Sequence, residues 1–250
     1  MKIVRYTIDK KFEYGIMEGE RVQSLAGSPF RQIKKLDQYH KLSEVKLLPP
    51  CLPTKVVAIG LNYYSHAKEV GQPVPAEPMM FFKPSSSVIG PEDKIINPEG
   101  CQRLDYEAEL GVVIKSQASR VSKAEAMKYV FGYTCFNDVT ARDWQAKDSQ
   151  WSRAKGSDTF SPIGPCIETE LDLSNVLVAA YLNGERKQQV NTSDLIFSVS
   201  ELVSYISQVI TLLPGDIIAT GTPAGIGPMK SGDTIEIKID KIGTLRNYIA

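Results

Sequence analysis

The stretch from Leu104 to Ile114, LDYEAELGVVI, constrains the fold more than any other part of the chain. Acidic and apolar residues alternate in its first half and apolar residues fill the second, a pattern that predicts a β-strand running into a core. Side chains of a strand alternate between its two faces, so Asp105, Glu107 and Glu109 share one face. Carboxylates about 7 Å apart repel one another unless water, basic side chains or a divalent cation compensates their charge.

Two explanations fit these three carboxylates. An exposed strand face would leave them solvated, which is the usual state of acidic side chains in proteins. The apolar run over residues 110–114 instead favours burial, and burial of three carboxylates favours a bound cation. Carboxylate oxygens are hard ligands, so the cation would be Mg²⁺, Mn²⁺ or Ca²⁺ rather than Zn²⁺ or copper. The residues of this stretch alone leave both explanations open.

Composition excludes several classes of protein. Acidic and basic residues number 29 each, so charge gives no reason to expect binding to nucleic acid or to an anionic membrane. No apolar run is long enough to span a bilayer, and residues 1–6 lack the apolar core of a signal peptide. The four cysteines form no C-x-x-C pair, which predicts reduced thiols in a cytoplasmic protein.

The chain divides at a proline-rich segment. Short strands with turn residues between them precede Pro49–Pro53, which predicts a stiff connector. We therefore predict a small β domain over residues 1–52 and a catalytic domain over residues 53–250. No catalytic combination of residues precedes the connector.

A histidine and a glutamate follow the first strand of the second domain. Residues 55–60 predict a buried strand, and residues 61–71 predict a short helix that ends at a glycine. On that helix His66 and Glu69 share a face, and a carboxylate beside an imidazole fixes its tautomer and raises its basicity. The pair therefore suits a general base, although a surface ion pair is the alternative. The proline-rich loop over residues 72–78 suits a lid.

Further polar residues follow the acidic strand. Residues 130–136 predict an apolar strand that places Asp138 just beyond its end, where it could be a third oxygen ligand beside Glu107 and Glu109. Residues 140–150 are compatible with a helix that brings Arg142 and Gln145 close to the same point.

Other segments receive simpler predictions. Residues 122–129 predict a helix with a capping box, residues 151–162 predict a loop, and residues 200–210 have a helical apolar period. The glycine-rich loop over residues 220–227 lacks the lysine of a P-loop, which excludes that mode of nucleotide binding. Its amides could still receive a carboxylate.

Taken together and in this order, these motifs resemble the fumarylacetoacetate hydrolase family, from about residue 53 to the end of the chain. The resemblance rests on their combination, because each motif alone is weak. The matching stretches are Gly60-Leu61-Asn62-Tyr63 with His66 and Glu69, Phe82-Lys83-Pro84, Asp105 to Leu110, Asn137-Asp138 with Arg142-Asp143 and Gln145, Lys155-Gly156 with Asp158, and Thr220-Gly221-Thr222-Pro223.

The resemblance implies an α+β fold that is mainly β: a mixed β-sandwich roll as catalytic domain, with a small N-terminal β domain, usually in a homodimer. It implies that Glu107, Glu109 and Asp138 bind Mg²⁺ or Mn²⁺, for which Ca²⁺ could substitute. Asp105 matches a position that is not a ligand in every member, so it stays outside this metal set.

The resemblance also implies roles for other residues. The His66–Glu69 pair resembles a dyad that activates water on a lid helix, and Lys155 matches a lysine that stabilises oxyanion charge. Gln145 and Thr222 match polar groups near the substrate, and Lys83 and Arg142 match groups behind them. With Asn62, these residues are the five predicted substrate contacts.

The predicted function is hydrolysis of a carbon–carbon bond in acylpyruvate-like 2-oxo acids, as in aromatic catabolism, with the small-molecule substrate chelated by Mg²⁺. An alternative at the same site is isomerisation or decarboxylation, of the 2-hydroxyhepta-2,4-diene-1,7-dioate isomerase or oxaloacetate decarboxylase type. A third possibility is a catalytically silent binding protein. The family fold alone cannot choose among them.

Overall fold

The computed structural model describes residues 1–250, and most of its regular structure is β-sheet. The strands are β1 (Lys2–Ile8), β2 (Lys11–Glu18), β3 (Arg21–Leu25), β4 (Lys35–Lys41), β5 (Lys46–Leu48), β6 (Lys55–Gly60), β7 (Met79–Pro84), β8 (Val88–Ile89), β9 (Lys94–Ile95), β10 (Leu104–Tyr106), β11 (Ala108–Ile114), β12 (Val130–Asn137), β13 (Thr140–Ala141), β14 (Ser161–Glu168), β15 (Leu177–Leu182), β16 (Glu185–Asn191), β17 (Ile217–Ala219), β18 (Gly227–Met229), β19 (Thr234–Ile239) and β20 (Gly243–Ile249).

Helices are few and short. The α-helices are α1 (Tyr64–Glu69), α2 (Arg142–Lys147), α3 (Ser152–Gly156) and α4 (Val199–Val209), and the 3₁₀ helices are Leu42–Glu44, Ser85–Ser87, Ala126–Tyr129, Leu173–Asn175 and Thr192–Asp194. The longest, α4, has 11 residues, and none combines the length and apolar character needed to cross a bilayer. The α+β, mainly β prediction is confirmed.

Three sheets form the molecule. The largest has twelve strands in the order β4-β3-β2-β1-β14-β12-β11-β17-β6-β7, with β5 and β8 paired to its side. A five-stranded sheet, β16-β15-β19-β20-β9, packs over the central strands β11, β12 and β14, and the apolar core lies between them. The third sheet, β13-β10-β18, has three strands. The architecture is therefore a sandwich with a mixed principal sheet.

The N-terminal strands continue the principal sheet. Strand β1 pairs with β14 through Lys2 opposite Glu168 and Ile3 opposite Ile167. Side chains of β1 lie in both apolar clusters of the molecule, since Ile3 belongs to the smaller and Val4 to the larger. Residues 1–48 thus share a sheet and a core with the rest of the chain, and the domain boundary at residue 52 stays a prediction.

Two hairpins turn through pairs of residues with positive φ. The turn between β1 and β2 uses Asp9 and Lys10 at φ 48° and 64°, and that between β15 and β16 uses Asn183 and Gly184 at φ 51° and 81°. Two successive residues with positive φ match the right-handed twist of a hairpin, and Asn-Gly is the sequence best suited to it. The strand predicted over residues 130–136 and the helix predicted over 200–210 are also present.

Other predictions were wrong in detail. The acidic strand is broken at Glu107, so that β10 belongs to the small sheet and β11 to the principal one. The helix predicted over residues 122–129 is only the 3₁₀ helix Ala126–Tyr129, and its predicted capping box is absent. The loop predicted over residues 151–162 contains α3, and the helix predicted over 140–150 is limited to α2.

Candidate metal centre and active site

The break at Glu107 places two glutamates at one edge of the principal sheet. The Glu107 amide donates to Asn137 Oδ1 at 3.0 Å, and the Asp138 amide donates to the Glu107 carbonyl at 2.9 Å. The next amide, that of Ala108, donates to Gln188 Oε1 at 2.9 Å. The backbone at this break is therefore fully hydrogen-bonded, although the segment leaves one sheet and enters another.

Three carboxylates meet at this edge. One oxygen each of Glu107, Glu109 and Asp138 can be chosen such that all three lie within 4.8 Å of one another, and all three residues are buried. Glu109 lies on β11 opposite Phe136 of the antiparallel β12, and Asp138 follows the end of β12. The structure thus brings together the three residues predicted as metal ligands.

Two lysines and an arginine partly balance these charges. Lys155 Nζ lies 2.7 Å from Glu107 Oε2 and 2.6 Å from Asp138 Oδ2, and Lys83 Nζ lies 2.5 Å from Asp138 Oδ1. Arg142 contacts the other oxygen of Glu107 through Nη2. Both lysines are almost completely buried, which is rare for a lysine unless it is paired.

The cations change the pKa values of their partners. Burial alone would raise the pKa of Glu107, but Lys155 and Arg142 lower it to about 2. Burial likewise opposes the charge of Lys155, but Asp138 and Glu107 raise its pKa above the ordinary value. For Lys83 burial prevails over the attraction of Asp138, and its pKa is lowered.

Glu109 differs from the other two carboxylates because no ion pair of the structure includes it. Its Oε2 accepts a hydrogen bond from the Gly221 amide at 2.8 Å, in the glycine-rich loop after β17. Burial raises the pKa of Glu109 well above its ordinary value, and the charges of Asp138 and Glu107 add to the effect. A buried carboxylate beside two others, without a cationic side chain of its own, fits a site that receives a hard divalent cation.

A cavity of about 390 Å³ opens onto this centre. Its polar wall contains the three carboxylates together with His66, Arg142, Gln145, Lys155 and Thr222. A volume in this range holds a small organic molecule. The charged centre therefore forms the inner end of a pocket large enough for a substrate.

His66 reaches the cavity from α1 and has the partner predicted for it. Its Nδ1 lies 2.8 Å from Glu69 Oε2, and Glu69 Oε1 accepts a hydrogen bond from the Gly225 amide at 2.9 Å. A proton on Nδ1 that donates to Glu69 leaves Nε2 with its lone pair, as a general base requires.

Sequence profiles match the chain in two parts. A profile described as fumarylacetoacetate (FAA) hydrolase C-terminal matches residues 55–250, and one described as Rv2993c-like, N-terminal matches residues 1–50. The chain belongs to the fumarylacetoacetate hydrolase family. The family consists of metal-dependent hydrolases, isomerases and decarboxylases, so this family member is an enzyme of that group.

Three relatives illustrate the range of the family. An uncharacterized protein of Archaeoglobus fulgidus is 55% identical over 206 residues, 82% of this chain and 82% of that protein. The mitochondrial oxaloacetate tautomerase FAHD2B of Bos taurus is 41% identical over 220 residues, 83% of this chain and 70% of that protein. A crystal structure of 5-carboxymethyl-2-hydroxymuconate delta-isomerase from Mycobacterium smegmatis has a TM-score of 0.95 and 40% identity, covering 100% of this chain and 99% of that chain.

Two of the five predicted substrate contacts of this family member do not reach the cavity. Asn62 is fully buried, and its amide nitrogen donates to the Thr220 and Phe197 carbonyls while its oxygen accepts from the Phe197 amide. Lys83 lies behind Asp138 and also contacts the Val139 carbonyl at 3.2 Å. Neither side chain lines the pocket, whereas Arg142, Gln145 and Thr222 do.

Sequence reasoning missed the aromatic part of the pocket. Met79 and Phe81 on β7 and Trp151 just before α3 line the cavity. Residues at i and i+2 of a strand share a face, so the period of β7 could have placed Met79 and Phe81 together. No spacing in the sequence pointed to Trp151, because its segment was predicted as a loop.

Proposed function

We propose that this family member is a divalent-metal-dependent enzyme that moves a proton between carbon and oxygen of a 2-oxo acid, as a keto–enol tautomerase or isomerase. One observation carries the proposal: His66 and the three buried carboxylates line the same cavity, and Glu69 holds Nδ1 of the imidazole. The activities for which the bovine tautomerase and the mycobacterial isomerase are named support the same chemistry.

Glu107, Glu109 and Asp138 would hold Mg²⁺ or Mn²⁺, because their oxygens are hard and lie close together. When bound, such a cation supplies a Lewis acid for the carboxylate and 2-oxo oxygens of the substrate. Ca²⁺ has the same preference for oxygen and could substitute.

The remaining steps belong to side chains of this chain. His66 accepts the proton that leaves the carbon next to the 2-oxo group, and Glu69 stabilises the resulting imidazolium through Nδ1–H. Lys155 is positively charged beside the centre and stabilises negative charge that develops on the 2-oxo oxygen. A proton is then added to that oxygen, so no atoms or electrons are gained or lost overall.

We assign the other predicted residues by where their side chains lie. Arg142, Gln145 and Thr222 line the cavity and would contact the substrate. Asn62 and Lys83 are positioning residues: Asn62 ties the segment after β6 to the loop after β17, and Lys83 holds Asp138.

Hydrolysis of a carbon–carbon bond in acylpyruvates is the second candidate. The observation that favours it is the same His66–Glu69 pair, because an imidazole backed by a carboxylate can also deprotonate water. The cavity of about 390 Å³ leaves room for that water beside a small substrate.

The test follows conversion of enol-oxaloacetate by ultraviolet absorption, with Mg²⁺ and with a chelator. We expect metal-dependent turnover that falls by about 10²-fold or more in His66→Ala, a usual contribution of a general base. The control is His40→Ala, since His40 is the only other histidine and lies on β4 outside the cavity. Unchanged turnover in His66→Ala would contradict the assignment.

Product analysis separates the two candidates. Metal-dependent formation of pyruvate and acetate from acetylpyruvate would move the assignment to the hydrolase. Release of CO₂ from oxaloacetate would instead indicate decarboxylation, which the same centre could support.

We also propose that the protein is a cytoplasmic homodimer. The cytoplasmic location agrees with four free, buried cysteines, and the dimer is what the family resemblance implies. Sedimentation equilibrium tests the dimer, and a mass near 27.6 kDa, that of one chain, would contradict it.

A further inference from the structure

The outer wall of the cavity is apolar and aromatic. The rings of Phe81 and Trp151 meet edge to face, with centroids 5.3 Å apart, and Met79 lies on the same face of β7 as Phe81. Pro73 and Pro75 of the loop after α1 also line the cavity. This arrangement offers flat, apolar surface to the part of a substrate that extends away from the carboxylate centre.

The basic groups of the cavity all lie at its inner end or are already paired. Lys155 is bonded to Glu107 and Asp138, and Arg142 is bonded to Glu107. The third basic residue, His66, has its Nδ1 on Glu69. No lysine or arginine other than Arg142 and Lys155 lines the cavity, so the outer wall has no cation for a second negative charge.

The aromatic wall begins immediately beside the centre, because Lys155 Nζ lies 5.2 Å from the centroid of the Phe81 ring. A substrate bound at the centre by its carboxylate and 2-oxo group would therefore place its tail against Phe81 and Trp151. A carboxylate on that tail would lose water without gaining a counterion, which is costly, whereas a planar apolar group would lose nothing and would gain contacts with the rings.

We propose that the preferred substrates are 2-oxo acids with a planar, apolar tail, namely aryl-substituted pyruvates, rather than diacids whose second carboxylate is remote from the first. The inference rests on the proposed function and names its substrate class. Oxaloacetate remains a valid probe of the reaction, because its second carboxylate is attached to the reacting carbon and is therefore not remote from the first. The reaction of an arylpyruvate balances without a co-reactant: a proton leaves the benzylic carbon and a proton is added to the 2-oxo oxygen.

The test compares two ligands that differ in one charge, phenylpyruvate and 4-carboxyphenylpyruvate. Affinity is measured on the Mg²⁺-loaded protein by calorimetry and by quenching of tryptophan fluorescence, and kcat/KM is measured in parallel. We expect phenylpyruvate to bind roughly tenfold or more tightly, a difference that an unpaired buried charge readily produces. Trp151→Phe should lose most of the fluorescence quenching, because Trp144 is the only other tryptophan. The same variant should keep the order of the two affinities, because phenylalanine retains an aromatic ring.

A charged variant should reverse the preference. Met79 lines the outer wall and is 43% exposed, so Met79→Lys can place an ammonium there without burying it completely. We expect Met79→Lys to favour 4-carboxyphenylpyruvate and the matched control Met79→Leu to keep the original preference. Because Met79 lines the cavity, the readout is the ratio of the two affinities within each variant rather than turnover.

The outcomes separate the two proposals. Equal or tighter binding of 4-carboxyphenylpyruvate to the unsubstituted protein would overturn the inference about the tail, while turnover of oxaloacetate would preserve the proposed function. If neither oxaloacetate nor phenylpyruvate is converted, the proposed function fails, and the order of affinities still decides the inference about the tail.

Discussion

Asp105 shows how one residue supports the centre without belonging to it. It is fully buried, and its two carboxylate oxygens accept hydrogen bonds from Arg103 Nε and Arg142 Nε, each at 2.9 Å. The same Arg142 guanidinium contacts Glu107, and its Nη1 lies 2.5 Å from Gln145 Oε1. Asp105 is therefore a positioning residue that orients Arg142 between the centre and the cavity.

Substitution Asp105→Asn tests this role. The amide keeps the shape but removes the charge that holds Arg142, so we expect KM for 2-oxo acids to rise severalfold while kcat and Mg²⁺ affinity change little. Titration calorimetry with Mg²⁺ provides the discriminating measurement. A loss of cation affinity as large as that of a ligand variant would mean that Asp105 is itself a ligand.

Glu109→Gln is that ligand variant. We expect Mg²⁺ affinity to fall by roughly tenfold or more, because the centre loses the carboxylate that no side chain neutralises. The matched control is Glu99→Gln, since Glu99 is exposed and lies outside the cavity. Equal affinity in Glu109→Gln and the control would exclude Glu109 from the ligand set.

The raised pKa of Glu109 predicts how the metal-free protein responds to pH. A carboxyl whose pKa is higher in the folded state binds its proton more tightly there, so its ionisation destabilises the fold. As pH rises through that raised value, the melting temperature of the chelator-treated protein should fall relative to that of Glu109→Gln. A difference in melting temperature between the two proteins that stays constant across this pH range would contradict the prediction.

At the scale of elements, α4 is stabilised at its N-terminus by reciprocal hydrogen bonds. The Ser198 amide donates to Glu201 Oε2 at 2.9 Å, and the Glu201 amide donates to Ser198 Oγ at 3.4 Å. Hydrogen bonds from Lys123 and Ser198 lower the pKa of Glu201 to about 2. The arrangement is a capping box on the helix that covers one side of the core.

Two substitutions test this cap. Ser198→Ala should lower the free energy of unfolding by about 1 kcal/mol, measured by urea denaturation. Because the pKa of Glu201 is lowered in the folded state, its contribution is present above the unfolded value and is lost as pH falls towards about 2. The difference in free energy of unfolding between the natural protein and Glu201→Gln should therefore shrink over that acid range. A difference that does not depend on pH would contradict this account.

The elements also show what the sequence could predict. Strands β6 and β12 and helix α4 have uniform periods and clear ends, so the local sequence pattern was sufficient to predict them. The break at Glu107 could not be seen, because alternation continues through it and only the partner strands differ. Helix α3 was missed because its five residues are too few to show a helical period. The helix predicted over residues 122–129 was wrong for a different reason: Ser122 and Glu125 fit a capping pattern, but no apolar stripe follows them.

For the site, residue types and order were enough to identify the family and its three carboxylates. The roles of Asn62 and Lys83 were less predictable, because each depends on a distant partner. Asn62 bonds residues 135 and 158 positions away, and Lys83 bonds Asp138 from 55 positions away. One sequence without such pairings cannot tell a buried support from a group that faces the substrate.

For the whole molecule, the continuous principal sheet predicts one cooperative unit. Strand β1 pairs with β14, and side chains of residues 1–48 lie in both apolar clusters. We expect a single calorimetric transition whose van't Hoff and calorimetric enthalpies agree. Two resolved transitions, one of them with the small enthalpy expected for unfolding of residues 1–52, would show instead that the N-terminal segment is an independent domain.

The hydrogen-bonded break between β10 and β11 has a consequence for local motion. The amides of Glu107, Asp138 and Gly221 each donate to an atom of one of the three clustered carboxylate residues or of its immediate neighbour. A cation held by the three carboxylates would tie together these segments, which lie at the ends of the neighbouring strands β11, β12 and β17 of the principal sheet. Hydrogen–deuterium exchange at these amides should therefore slow when Mg²⁺ is added, and so report occupancy of the centre without any substrate.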